Sequence, residues 1–222
     1  MWSETELEGS DVYGYLHKRF NGPNVIRRSG HRYRVGSPGE FYSDFDLLLN
    51  DPYNCRYVTA AYAQEIEEIS KEYAIDLLGF VEKSDGGSVG AVRLAGALSI
   101  YTGIPNITVR LGRELEFEQV KTSRLEGEFA GKPQKAWLSG ALVVVITDNT
   151  SSGGEAEKAV KAVEYNGGRV KDIITYTLRE WKPPATERFE KRTPPIKLHT
   201  IWNLPEDIPE RRRVEIGISQ RT

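Results

Sequence analysis

Apolar positions along the chain change period several times, and each change predicts an element. Leu142 to Thr147 are six consecutive apolar or β-branched residues, the mark of a strand buried on both faces in a parallel sheet. Asp148 closes this strand, and Asn149-Thr150-Ser151-Ser152-Gly153-Gly154 reads as a turn. Ala156, Ala159, Val160 and Val163 then recur at helical spacing. Upstream, Asp51-Pro52 opens a helix with Val58, Ala61, Tyr62, Ile66 and Ile69 on one face.

Between these two regions the pattern alternates. Leu77 to Val81 is a strand, Val89 to Tyr101 a helix, and Asn106 to Arg110 a strand after the Gly103-Ile104-Pro105 stop. Arg124 to Phe129 and Val170 to Leu178 supply further strands. Strands alternating with helices predict an α/β fold, a parallel sheet with right-handed crossovers and helices on both faces. Its ligands belong beyond the carboxyl ends of the strands, where the loops Glu82–Gly87 and Asp148–Gly154 lie. Nearer the start, a helix is expected over Ser10 to Phe20 and a small antiparallel hairpin region over Asn24 to Phe45. The expected organisation is an N-terminal helix and β hood (1–50), an α/β core (51–204) and a C-terminal tail (205–222).

The turn after Asp148 carries candidate chemistry. A bend of small residues at a helix start aims free backbone N–H groups and hydroxyls at one point, where the helix dipole also favours an anion. A carboxylate one step earlier can hold the hydroxyls of a sugar attached to that anion. Strand, acid, small-residue turn and helix together describe a ribose-phosphate site.

Composition narrows the classes. With 222 residues, 39% hydrophobic and 28% charged, the chain can bury a substantial core. A net charge of −2 gives no global pull towards nucleic acid or anionic membrane, and neither is expected as a partner. Cys55 is the only cysteine, which excludes an internal disulfide framework and fits a reducing compartment. The stretch MWSETELEG is acidic and has no apolar run, so no signal peptide or membrane span is expected and the cytoplasm is the expected location.

ALVVVITDNTSSGGE resembles the phosphoribosyl pyrophosphate motif of type I phosphoribosyltransferases. Five further stretches are similar, in order, to orotate phosphoribosyltransferases within that family. These are HRYRVGSPGEFYSDFDLLLNDP (His31–Pro52), GAVRLAGALSIYTGIP (Gly90–Pro105), RLEGEF (Arg124–Phe129) and TYTLRE (Thr175–Glu180), followed by PIKLHTIWNL (Pro195–Leu204) as the closing strand. The resemblance implies transfer of ribose 5-phosphate from phosphoribosyl pyrophosphate to a pyrimidine base, orotate, with Mg²⁺, in a homodimer whose lid reaches the neighbour's site. It implies phosphate binding by Thr150, Ser151, Ser152, Gly153 and Gly154, and ribose binding by Asp148 and Asn149. Arg110 and Lys83 would join Asp148 in catalysis, and Arg179, Arg34, Phe41 and Tyr42 would meet the base. No metal ligand is implied beyond the substrate's own pyrophosphate.

The chain also departs from the family pattern. Thr147 stands where the first of two motif acids is usual, and Leu111 and Glu114 fall where the lid carries lysines. Arg113 and Lys121 are the cations available to replace them, and Glu155 replaces a hydroxyl residue beside the phosphate turn. Two other readings therefore stay open: a weakened member of the fold that binds a phosphoribosyl ligand or nucleotide as a sensor, and a transferase for another base.

Overall fold

The computed structural model describes residues 26–28, 41–43, 45–83, 90–111, 125–127, 138–179 and 184–204. Two short strands, β1 (Ile26–Arg28) and β2 (Phe41–Ser43), pair antiparallel with Arg27 opposite Tyr42. Helix α1 (Phe45–Leu49) follows, then the long helix α2 (Pro52–Glu72). The Asp51 carboxylate starts α2 by accepting from the amides of Tyr53 (2.8 Å) and Asn54 (3.0 Å), and Pro52 pre-sets the first helical φ. The predicted stripe of Val58, Ala61, Tyr62, Ile66 and Ile69 is buried.

The remaining elements are β3 (Leu77–Lys83), α3 (Gly90–Thr102), β4 (Asn106–Leu111), β5 (Leu125–Gly127), β6 (Leu142–Thr150), α4 (Gly154–Tyr165), β7 (Arg169–Arg179), α5 (Ala185–Glu190) and β8 (Lys197–Leu204). They build one six-stranded sheet in the order β5-β4-β3-β6-β7-β8. Five strands run parallel, as expected; β5 pairs antiparallel with β4 at the edge.

Strand β6 lies at the centre, and its side chains divide the core. Val144 and Ile146 join Tyr62, Leu94, Leu98 and Tyr176 in the layer under α1, α2 and α3. Val143 and Val145 join Ala156, Val160, Ile173 and Phe189 in the layer under α4 and α5. An apolar run without alternation is thus explained by burial on both faces. The chain leaves β3 towards β4, then returns to place β6 on the other side of β3. That reversal makes the carboxyl ends of β3 and β6 a topological switch point, where open α/β sheets bind ligands.

Candidate active site at the carboxyl ends of the sheet

Strand β6 extends further than its apolar run suggests. Asn149 and Thr150 pair with Thr177 and Leu178 of β7, so the strand ends at Thr150 rather than Asp148. The expected six-residue turn shrinks to Ser151, Ser152 and Gly153, with Gly154 already the first residue of α4. Thr150 is therefore a buried strand residue and not part of the bend. By alternation along β6 it shares the α2–α3 face with Asp148, while Thr147 and Asn149 face α4.

The bend depends on one backbone conformation. Gly153 has φ +76° and precedes α4, a left-handed geometry that glycine adopts without a Cβ penalty. The Gly153 carbonyl accepts from the Glu157 amide (2.9 Å), the first bond of the helix. The amides before that point have no intrahelical acceptor and face outward along the positive end of the helix. Ser151 and Ser152 are half-buried beside them.

Asp148 is only 6% exposed, and its Oδ1 accepts from the Asn149 amide at 2.6 Å. Asn149 is held from the neighbouring strand by the Thr177 hydroxyl, which donates to its side-chain oxygen. Beneath Asp148, the Tyr62 hydroxyl donates to the Thr147 carbonyl at 2.8 Å. Burial pushes the Tyr62 phenol well above its ordinary range, and the negative charge of Asp148 pushes it the same way. Tyr62 therefore stays a neutral donor at the base of the site.

Acidic residues in the first turn of α4 would repel a phosphate unless they are balanced. Burial raises the Glu157 carboxyl, but hydrogen bonds from Lys161 and Arg188 outweigh it and bring it below the usual range. Glu155 is exposed, and its field acts on Lys158, whose ammonium is lowered mainly by burial. Both carboxylates are thus coupled to cations of α4 and α5.

Backbone positions gather the other candidates. Arg110 lies opposite Glu82 and Lys83 opposite Leu111 in the β3–β4 ladder, and Arg179 lies opposite Leu204 in β7–β8. Arg110, Lys83, Asp148 and Arg179 thus occupy the carboxyl ends of four neighbouring strands, β4, β3, β6 and β7. Phe41 and Tyr42 belong to β2. Arg34, Arg113, Glu114, Lys121, the expected helix over Ser10 to Phe20 and most of the loop after β3 lie outside the described residues. Among the described residues no group of three or more His, Cys, Asp or Glu side chains could hold a metal ion, and no helix is long and apolar enough to cross a membrane.

Three features escaped sequence reasoning. Helix α5 is six residues long, too short for a periodic signal, although Pro183-Pro184 before it marks a start. Thr177 becomes relevant only through its pairing with Asn149. Tyr62 reads as one more apolar position of α2, and nothing local shows that its hydroxyl reaches β6.

The parallel sheet with helices on both faces is the fold of type I phosphoribosyltransferases. No family model matches the chain. It is 30% identical over 171 residues to the orotate phosphoribosyltransferase of Bradyrhizobium diazoefficiens, covering 74% of this chain and 83% of that protein. The fold matches the orotate phosphoribosyltransferase of Aeropyrum pernix with a TM-score of 0.64 at 18% identity, over 92% of this chain and 99% of the other. It also matches the Mycobacterium tuberculosis orotate phosphoribosyltransferase in complex with 5-phospho-α-D-ribosyl 1-diphosphate, with a TM-score of 0.58 at 19% identity, over 88% and 98% of the two chains. The chain belongs to the orotate phosphoribosyltransferase family.

Proposed function

We propose that this protein transfers a 5-phosphoribosyl group from phosphoribosyl pyrophosphate to a ring nitrogen of orotate and releases pyrophosphate. The observation that carries this reading is the buried Asp148 beside the Ser151–Gly154 bend, at the switch point of the sheet. Amides of that bend, with the Ser151 and Ser152 hydroxyls, bind the 5-phosphate. Asp148 accepts from the ribose hydroxyls, with Asn149 beside it, and Thr150 lines the wall behind them.

In the reaction the bond from C1′ to the pyrophosphate oxygen breaks, and its electron pair leaves with pyrophosphate. The base nitrogen, whose proton departs, supplies the pair for the new bond to C1′. Positive charge develops on the ribose ring, and the fixed Asp148 carboxylate stabilises it without reorganisation. Arg110 and Lys83, at the ends of β4 and β3, supply cations to the leaving group. Arg179, with Arg34, Phe41 and Tyr42, serves the base. By likeness to the family, Mg²⁺ would be held chiefly by substrate oxygens and water and would neutralise pyrophosphate charge when bound. A homodimer in the cytoplasm completes the reading, by likeness to the family.

The test is pyrophosphate release from a mixture of protein, phosphoribosyl pyrophosphate, Mg²⁺ and a panel of bases. Turnover with orotate is expected. Turnover with a different base alone would reassign the substrate, and saturable binding without turnover would make the protein a sensor.

A further inference from the structure

We propose that Phe189 of α5 is a positioning residue for the 5-phosphate, acting through the backbone of Gly153. This rests on the reading above that the Ser151–Gly154 bend holds that phosphate. Gly153 is buried, and its back is closed by α5. A Cβ placed on Gly153 would lie 2.9 Å from Phe189 Cε2, 3.2 Å from Phe189 Cζ and 3.2 Å from Ala185 Cβ. The ring therefore lies against the α-carbon itself, at a distance that only glycine permits.

Phe189 is held firmly in turn. Its side chain and that of Ala185 are fully buried in the α4–α5 core layer. Its carbonyl accepts from the amides of Ile196 (3.1 Å) and Arg192 (3.2 Å), which ties the end of α5 to the approach to β8. One residue earlier, Arg188 pairs with Glu157 in the first turn of α4. Helix α5 is thus fastened to α4 on one side and to the approach to β8 on the other, and its ring packs against the bend.

A three-residue bend has little packing of its own, so the direction of its amides depends on what it rests upon. Anion binding by backbone N–H groups gains from such pre-organisation, because no ordering remains to be done when the ligand arrives. Phe189 supplies the floor, and Gly153 is glycine both for its φ of +76° and for the closeness of that ring. The ligand recognised through this device is a pentose phosphomonoester, the end of the substrate that takes no part in bond breaking.

Titration of ribose 5-phosphate into wild type, Phe189→Leu, Phe189→Ala and Ile69→Ala tests the idea. Ile69 is a buried residue of α2 in the other core layer, so its truncation supplies a stability control. Phe189→Ala is expected to weaken ribose 5-phosphate binding by about tenfold, with KM for phosphoribosyl pyrophosphate rising in step and KM for the base unchanged. Phe189→Leu should recover part of that loss, and Ile69→Ala should lower the melting temperature without changing the phosphate affinity. Phe189 variants that bind ribose 5-phosphate as well as wild type overturn the inference and leave the proposed function standing. If Phe189→Ala does not fold, Phe189→Leu alone decides the matter. A wild-type protein that fails to bind ribose 5-phosphate overturns both. Binding that depends on Phe189 in a protein that does not turn over orotate upholds the inference and overturns the proposed transfer to orotate.

Discussion

Two carboxylates lie buried at opposite ends of the same sheet, and their surroundings differ in kind. Asp172, near the amino end of β7, is 4% exposed and fully engaged by protein groups. It stands 2.6 Å from His199 Nε2 on β8, and it accepts from the Tyr73 hydroxyl at the end of α2. Glu65 lies 3.5 Å from the other ring nitrogen, and Lys171 sits 4.6 Å above the Tyr73 ring. Asp148, at the carboxyl end of β6, accepts from the amide of the next residue and forms no ion pair among the described residues. Burying a charge is costly unless it is paired. Where pairing is complete, the charge serves the fold; where it is not, the charge is open to an incoming group. The sheet thus fastens one end with ions and leaves the carboxylate at the other without an ion pair among the described residues.

The largest effect that could break this contrast belongs to Asp148. Asp148→Asn keeps the shape of the side chain and removes its charge. It should lower turnover by about a hundredfold, the usual worth of one positioned group in a transition state, with little change in melting temperature. Pyrophosphate release and a thermal melt on the same sample check it; unchanged kinetics would move the site elsewhere.

Asp172→Ala should show the reverse. Removing the partner of a half-buried His199 and of Tyr73 should cost about 2 kcal/mol of stability, with KM values unchanged. Denaturant unfolding gives the first quantity and steady-state kinetics the second. A loss of activity without a loss of stability would erase the distinction between the two ends.

A smaller effect follows from pH. The hydrogen bond with Asp172, then that with Glu65, holds the His199 imidazolium up to about 9, against the ordinary 6.5, and burial opposes them only in part. A folded value above the unfolded one means that this stabilisation is complete below pH 6.5 and is lost as pH rises through about 9. Melting temperature followed across that window should fall in wild type and fall less in His199→Gln. Parallel curves would show that the pair contributes nothing.

Much of the fold is legible in the residues, and the remainder is hidden for physical reasons. The apolar run of β6 and the helical stripe of α2 depend on burial, which leaves a local pattern, and both are found where expected. The end of β6 lies two residues beyond its expected place, because Asp148-Asn149-Thr150 has the composition of a turn. Pairing of Asn149 with Thr177 and of Thr150 with Leu178 overrides that preference. The antiparallel run of β5 could not be read, since three residues carry no directional signal. The His199–Asp172–Glu65 cluster joins positions on three separate elements, and His199 alone suggests only strand packing. At the site, Asp148 and the glycines announce themselves by residue type, whereas Phe189 and Tyr62 look like ordinary core.

Tyr62 offers the finest test of the comparison, because it belongs to the core by burial and to the site by its hydroxyl. Its ring is fully buried and stacks near Tyr176, with centroids 6.4 Å apart, while its O–H reaches the Thr147 carbonyl. Tyr62→Phe keeps the ring and deletes the donor. It should cost about 1 kcal/mol in stability, the ordinary net value of one hydrogen bond. The Thr147 carbonyl belongs to the peptide unit that joins Thr147 to Asp148, so loss of that bond also frees the backbone that carries the carboxylate. KM for phosphoribosyl pyrophosphate should therefore rise by a few fold, much less than the loss of the charge itself would produce. Unfolding and kinetics measured together separate the two contributions. If stability falls and KM does not move, Tyr62 is a fastening of the core alone, and the boundary between core and site runs above it.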